Sequence, residues 1–219
     1  MVSIDLHAKE VFTIVEFSGV VAGALAGALE ARRSKTYQYD FIGVLGLAII
    51  TALGGGITRD VLLQQGPPLA FLDPRYLLVS LGAGGFALLF GGKAQKLISR
   101  CVWFADAASL GLFSVAGVTR ALNAGLPMLP ALLLGLITAA GGGSLRDVLM
   151  GRTPRVFERG EPYTLAALLA AIVFLGCEGS GMDRLVSTLA GALAGLILKL
   201  LSARFQWQTP AVNDMLNHQ

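Results

Sequence analysis

Charge is scarce in this chain of 219 residues: Asp, Glu, Lys and Arg together make up 14%, where soluble domains carry about 25%. That excludes an ordinary water-soluble domain, and 54% apolar residues with a mean hydropathy of +0.68 point to a membrane protein. Histidine and cysteine are nearly absent, with two of each. His7, His218, Cys101 and Cys177 offer no metal-ligand cluster, so neither a metal nor a cofactor is expected. In the span arrangement that the apolar runs predict, the two cysteines fall near opposite ends of a hydrocarbon core of about 30 Å, so an intrachain disulfide is not expected. There is no nucleophile–base pair, and the glycine triplets lack the GK[ST] ending of a phosphate loop; an enzyme is not expected. The net charge of +3 does not imply nucleic acid, because the basic residues lie in short clusters without interleaved aromatics. The opening MVSIDLHAKE has acids and no basic run. The apolar stretch after it continues into Glu30 and Arg32 without a clean cleavage site, so a retained first membrane helix is expected and not a signal peptide.

What is abundant is glycine, 28 residues, together with long apolar runs. Glycine is frequent in membrane helices because it lets backbones approach where no hydrophobic force draws helices together. The runs predict seven spans near 11–29, 41–63, 75–91, 101–120, 130–150, 162–178 and 184–201. They form a single transmembrane domain over 1–205, followed by a polar tail over 206–219. Basic residues cluster in alternate loops: Arg32, Arg33 and Lys35; Lys93, Lys96 and Arg100; Arg152, Arg155 and Arg159; then Lys199 and Arg204. The opposite side has only Lys9, Arg75, Arg120 and Arg184. The positive-inside rule places the N-terminus outside and the C-terminus in the cytoplasm.

An internal repeat organises the chain. Residues 51–62, TALGGGITRDVL, and 138–149, TAAGGGSLRDVL, agree at nine of twelve positions. The offset of 87 between Gly54 and Gly141 also relates Pro67 to Pro154 and Tyr76 to Tyr163. Earlier in each half, Glu16 matches Asp106 and Gly27 matches Gly117 at an offset of 90. Each half then holds three helices, about 11–91 and 101–178, with a seventh at 184–201. An odd number of spans per repeat sets the halves in opposite orientations, the inverted-repeat plan of many transport proteins. The fold class is an all-α membrane protein with two inverted three-helix repeats plus one helix.

The candidate site follows from that repeat. Gly54, Gly55 and Gly56, with Thr58, Arg59 and Asp60, sit inside an apolar span, as do Gly141, Gly142, Gly143, Ser144, Arg146 and Asp147. Three glycines in a row each disfavour helix by about 1 kcal/mol relative to Ala, which predicts a kinked or unwound segment whose free carbonyls line a wet path. Pro67-Pro68 and Pro154 terminate these helices. Arg and Asp, adjacent in sequence, point about 100° apart on a helix, so each Arg is expected to pair with an acid on another helix. Glu16 and Asp106 are the candidates, since acids in a membrane interior turn inward or pair. The ridges Gly19-Gly23-Gly27 and Gly191-Gly195 read as helix packing. Phe113, Phe86 and Phe90 are candidates for a constriction, with packing or lipid contact as their ordinary role.

With the paired GGGxxRD motifs, the two three-helix halves and the seventh helix, the chain resembles the prokaryotic branch of the trimeric intracellular cation (TRIC) channel family. It equally resembles the allied bacterial family of small membrane proteins for which glycine transport is proposed. The resemblance spans about residues 11–205. It implies a homotrimer in a bacterial or archaeal plasma (inner) membrane, surrounded by lipids, with a pore in each subunit for monovalent cations such as potassium and sodium. It further implies that the second and fifth helices line that pore, kinked at their glycines. The first acid position, usually Asp in such sequences, is Glu16 here. Two other functions compete: a secondary transporter of a small zwitterion such as glycine, whose carboxylate an Arg would hold, and a membrane scaffold without transport.

Overall fold

A computed structural model describes residues 2–91, 95–160 and 162–209. Lys93, on which the orientation partly rests, and most of the polar tail, 210–219, lie outside the described residues, as do the side chains of Lys9, Lys96 and Cys101. The chain forms α1 (Val2–Arg33), α2 (Phe41–Leu63), a single turn α3 (Leu69–Leu72), α4 (Pro74–Phe90), α5 (Gln95–Asn123), α6 (Met128–Leu149), α7 (Tyr163–Gly179) and α8 (Arg184–Phe205). Among the described residues, the long helices α1, α2, α4, α5, α6, α7 and α8 overlap the apolar runs. The turn α3 was not foreseen, and α1 and α5 extend well beyond their apolar runs. Among the described residues, α2, α6 and α8 are long and apolar enough to cross a membrane, and α4 and α7 are apolar helices of 17 residues.

Local chemistry sets the ends. Asp40 accepts from Gly43 N at 2.7 Å to cap α2. Asp73 accepts from Arg75 N at 2.9 Å, with Pro74 at the first turn of α4, and Asp183 accepts from Leu185 N at 2.8 Å to open α8. Side-chain oxygens here take up amide donors that a helix start leaves unpaired. Gln64 and Gln206 adopt φ of 53° and 56°, ending α2 and α8 with left-handed caps.

Helices α1, α2 and α4 pack together as one unit and α5, α6 and α7 as another, with α8 against α5 and α7. The units meet where α2 crosses α6 and α1 meets α5. Interior positions are mostly small: Ala24, Ala28, Ala48 and Ala87 in the first unit, Ala166, Ala167, Ala170 and Ala171 in the second. Large apolar side chains such as Ile42, Leu78, Leu89, Leu129, Leu133 and Ile197 face outward. A soluble protein rarely exposes so much apolar surface; small inside and large outside is the arrangement expected in lipid.

The expected break in α2 and α6 is corrected. Both helices run unbroken through Gly54–Gly56 and Gly141–Gly143. An unpaired peptide group in hydrocarbon costs several kcal/mol, more than the propensity loss of a glycine, so the ladder is kept. The glycines serve contact instead. A Cβ on Gly55 would collide with the carbonyl oxygen of Thr138, and one on Gly142 with that of Thr51. The two collisions are related by the same offset of 87.

Candidate functional site: a charged cavity at the helix crossing

The crossing of α2 and α6 is bounded by a cavity of about 590 Å³. Its wall includes Gly55, Gly56, Gly142 and Gly143, together with Thr51, Thr138 and Phe113. Phe113 lies against the α1 ridge, where a Cβ on Gly19 would meet its ring. Phe86 and Phe90 do not reach the cavity; they are exposed and lie ring against ring at 5.0 Å.

Glu16, Asp106, Arg59, Asp60, Arg146, Asp147 and Ser144 all line the cavity, as the repeat suggests. Gly54, Gly141 and Thr58 do not. A Cβ on Gly54 would meet Leu145 and Gly142, one on Gly141 would meet Gly55, and Thr58 donates its hydroxyl back to Gly54 O at 2.8 Å. Of the packing glycines, Gly23 abuts Ala52 and Gly27 abuts Leu47 and Thr51; Gly191 and Gly195 abut Ala170 and Ala166. All five packing glycines therefore make close approaches within this chain.

The expected pairing of the arginines is also corrected. Arg59 Nε donates to Asp60 Oδ1 at 2.7 Å, and Arg146 donates to Asp147 Oδ1 through Nε at 2.9 Å and Nη2 at 2.8 Å. Each Arg is buried and bonds its own neighbour. The reason lies beyond each helix end: Leu69 N donates to Asp60 Oδ2 at 3.0 Å, and Arg155 N to Asp147 Oδ2 at 3.4 Å. The carboxylate is held by the returning chain, and the flexible Arg stem covers the 100° that separates the two Cβ directions.

Glu16 and Asp106 find other partners. Glu16 Oε2 accepts from the Tyr76 hydroxyl at 2.7 Å. Asp106 Oδ2 accepts from Lys199 Nζ at 2.8 Å, and that ammonium lies 4.3 Å from the ring centroid of Tyr163. In the sequence, Tyr76 and Tyr163 stand out only as repeat markers and Lys199 only as a topology charge. A lysine with Leu198, Leu200 and Leu201 beside it is the signal that was available, since an intramembrane charge calls for a partner. At the same end, Glu30 joins α1 to the α6–α7 loop through Arg155 at 2.6 Å and Arg152 at 3.4 Å. Burial raises the Glu30 carboxyl, and the guanidinium groups of Arg155, Arg146 and Arg152 around it together outweigh that, holding the group below its ordinary value. Arg32 Nη1 donates to Ala87 O and Leu88 O at 2.7 and 2.8 Å, placing a cation at the C-terminal end of α4.

Unbroken apolar helices with large side chains outward, enclosing a cavity of paired charges at a glycine crossing, define an all-helical membrane protein with a polar interior compartment. The chain belongs to the family described as glycine transporter, which it matches over residues 13–91 and 103–178. Among curated relatives, a UPF0126 membrane protein of Deinococcus radiodurans is 33% identical over 88% of this chain and 87% of its own. The UPF0126 inner membrane protein YadS of Escherichia coli K12 is 30% identical over 90% of this chain and 93% of its own. Among solved structures, a TRIC cation channel studied for the basis of its conductance superposes with a TM-score of 0.84 at 30% identity, covering 92% of this chain and 97% of that one. The TRIC trimeric intracellular cation channel orthologue of Rhodobacter sphaeroides gives 0.81 at 32% identity, covering 90% and 99%.

Proposed function

We infer that this chain is a channel for monovalent cations, potassium and sodium, with one pore per subunit of a homotrimer in the bacterial inner membrane. The observation that carries the reading is the cavity itself: both glycine crossing faces wall it, and the repeat-related carboxylates Glu16 and Asp106 open onto it. Carboxylates in a low-dielectric path favour cations, and ion-paired arginines do not repel them as free ones do. The likeness to solved TRIC cation channels supports the same reading. The pore lining is the unbroken α2 and α6, chiefly Gly55, Gly56, Gly142, Gly143, Ser144 and the Arg–Asp pairs. The reciprocal Gly55–Thr138 and Gly142–Thr51 contacts support two inverted halves within one membrane domain that ends near residue 205. Arg32, Glu30 and Arg155 tie the ends of α1, α4 and the α6–α7 loop together. That common basic end supports a cytoplasmic face there, with the N-terminus outside.

The test is purified protein in planar bilayers under asymmetric KCl. A reversal potential near that of potassium is expected; silence or equal anion passage overturns the reading. The lining has its own test. A Cβ on Gly56 or Gly143 meets only an Arg side chain, at 3.8 and 3.9 Å, so Gly56→Ala and Gly143→Ala each add a methyl at the cavity wall without striking backbone. Both are expected to cut conductance while unfolding temperature holds; full conductance in both refutes the lining.

A second reading, carriage of a small zwitterion such as glycine, is favoured by Arg59 and Arg146 standing beside carboxylates in one cavity and by the family's description. Saturable uptake of glycine into proteoliposomes without ohmic current would favour it over the channel.

A further inference from the structure

The repeat relates Glu16 to Asp106 and Tyr76 to Tyr163, yet the two acids are held differently. Glu16 takes the Tyr76 hydroxyl. Asp106 takes an ammonium from α8, the helix outside the repeat. Lys199 Nζ sits over the Tyr163 ring at 4.3 Å and the Trp103 ring at 5.9 Å. An ammonium at such distances is attracted by the ring faces, more strongly when desolvated. The Lys199 side chain is 4% exposed, whereas Asp106 keeps 39% of its side chain open, and both border the cavity. The carboxylate therefore faces the cavity with its counter-charge fixed behind it.

We propose that Lys199 is a tethered cation that neutralises the Asp106 end of the path and so makes the two ends electrically unequal, setting the direction in which cations enter more readily. This rests on the cation-channel reading. A cation arriving at Glu16 meets a carboxylate bonded by a neutral hydroxyl; one arriving at Asp106 meets a carboxylate already ion-paired. The consequence is rectification, a property that two equivalent halves alone would not produce.

Single insertions in planar bilayers with symmetric low-salt KCl read the effect directly. Wild type is expected to rectify. Lys199→Met frees the Asp106 charge and raises conductance for cations entering from that end, by on the order of tenfold at low salt and far less in high salt. Asp106→Asn leaves the ammonium unpaired and moves the same quantity the opposite way, with a larger anion share. Should Lys199→Met fail to assemble, Asp106→Asn still decides the sign. The double variant returns toward wild type, and Lys199→Arg keeps the wild-type rectification. A conducting wild type whose rectification is unchanged in both single variants overturns the role of Lys199 while leaving the channel reading intact. A silent wild type defeats the channel reading, and this one with it.

Discussion

At residue scale, the buried Arg59–Asp60 and Arg146–Asp147 pairs govern how the cavity tolerates change. Taking one partner from a buried pair leaves an uncompensated charge, a loss of about 3–5 kcal/mol, while replacing both by apolar groups of similar size is often neutral. Arg146→Met is therefore expected to lower the unfolding temperature in detergent markedly, and Arg146→Met with Asp147→Leu to recover most of the loss. Equal melting of the single and double variants would show that the pair is not coupled. The pairing itself was only half legible. The motif put Arg and Asp in the cavity wall, but the choice of partner depended on Leu69 N and Arg155 N returning to the carboxylates, contacts between residues eight or nine positions apart around a turn.

The element scale belongs to the crossing of α2 and α6. Glycine here sets contact distance, not helical structure, and that separates one glycine from another along the same helix. Gly55→Ala and Gly142→Ala drive a methyl into a facing carbonyl oxygen, and overpacking of this kind costs about 1–3 kcal/mol. Gly46, on the same helix α2, meets nothing within 4 Å, so Gly46→Ala is expected to be neutral or stabilising by up to about 1 kcal/mol. Thermal unfolding of the three variants in one detergent checks the contrast; equal shifts would mean the helices part without cost. The predicted unwinding failed because helix propensity is a weak prior. A run of three glycines is unfavourable in water, but in lipid no solvent replaces a lost backbone bond.

For the whole molecule, the join between the two units can be probed by pH. Glu30 ties the end of α1 to the α6–α7 loop, and its carboxyl titrates below the ordinary value near 4.3. A depressed carboxyl gives its full stabilisation above the unfolded value and loses it as pH falls through the folded value. Melting of wild type should therefore fall relative to Glu30→Gln as the pH drops below about 4.3. The difference should be no more than about 1 kcal/mol, because Arg155 is largely exposed and screened. Parallel melting curves for the two proteins across that window would remove the bridge from the account of stability.

The sequence by itself determined the membrane class, the positions of the long helices and the internal identity of the two charged motifs, because apolar run length and internal identity are local properties of a chain. Only the tertiary structure decided that the glycine helices stay whole, that each Arg bonds its own neighbour, and that Lys199 reaches Asp106 across 93 positions. Those outcomes turn on which groups meet when α2 crosses α6 and α8 docks on α5 and α7. In a medium without water, a polar group's partner is chosen by that meeting and not by the residues beside it in the chain.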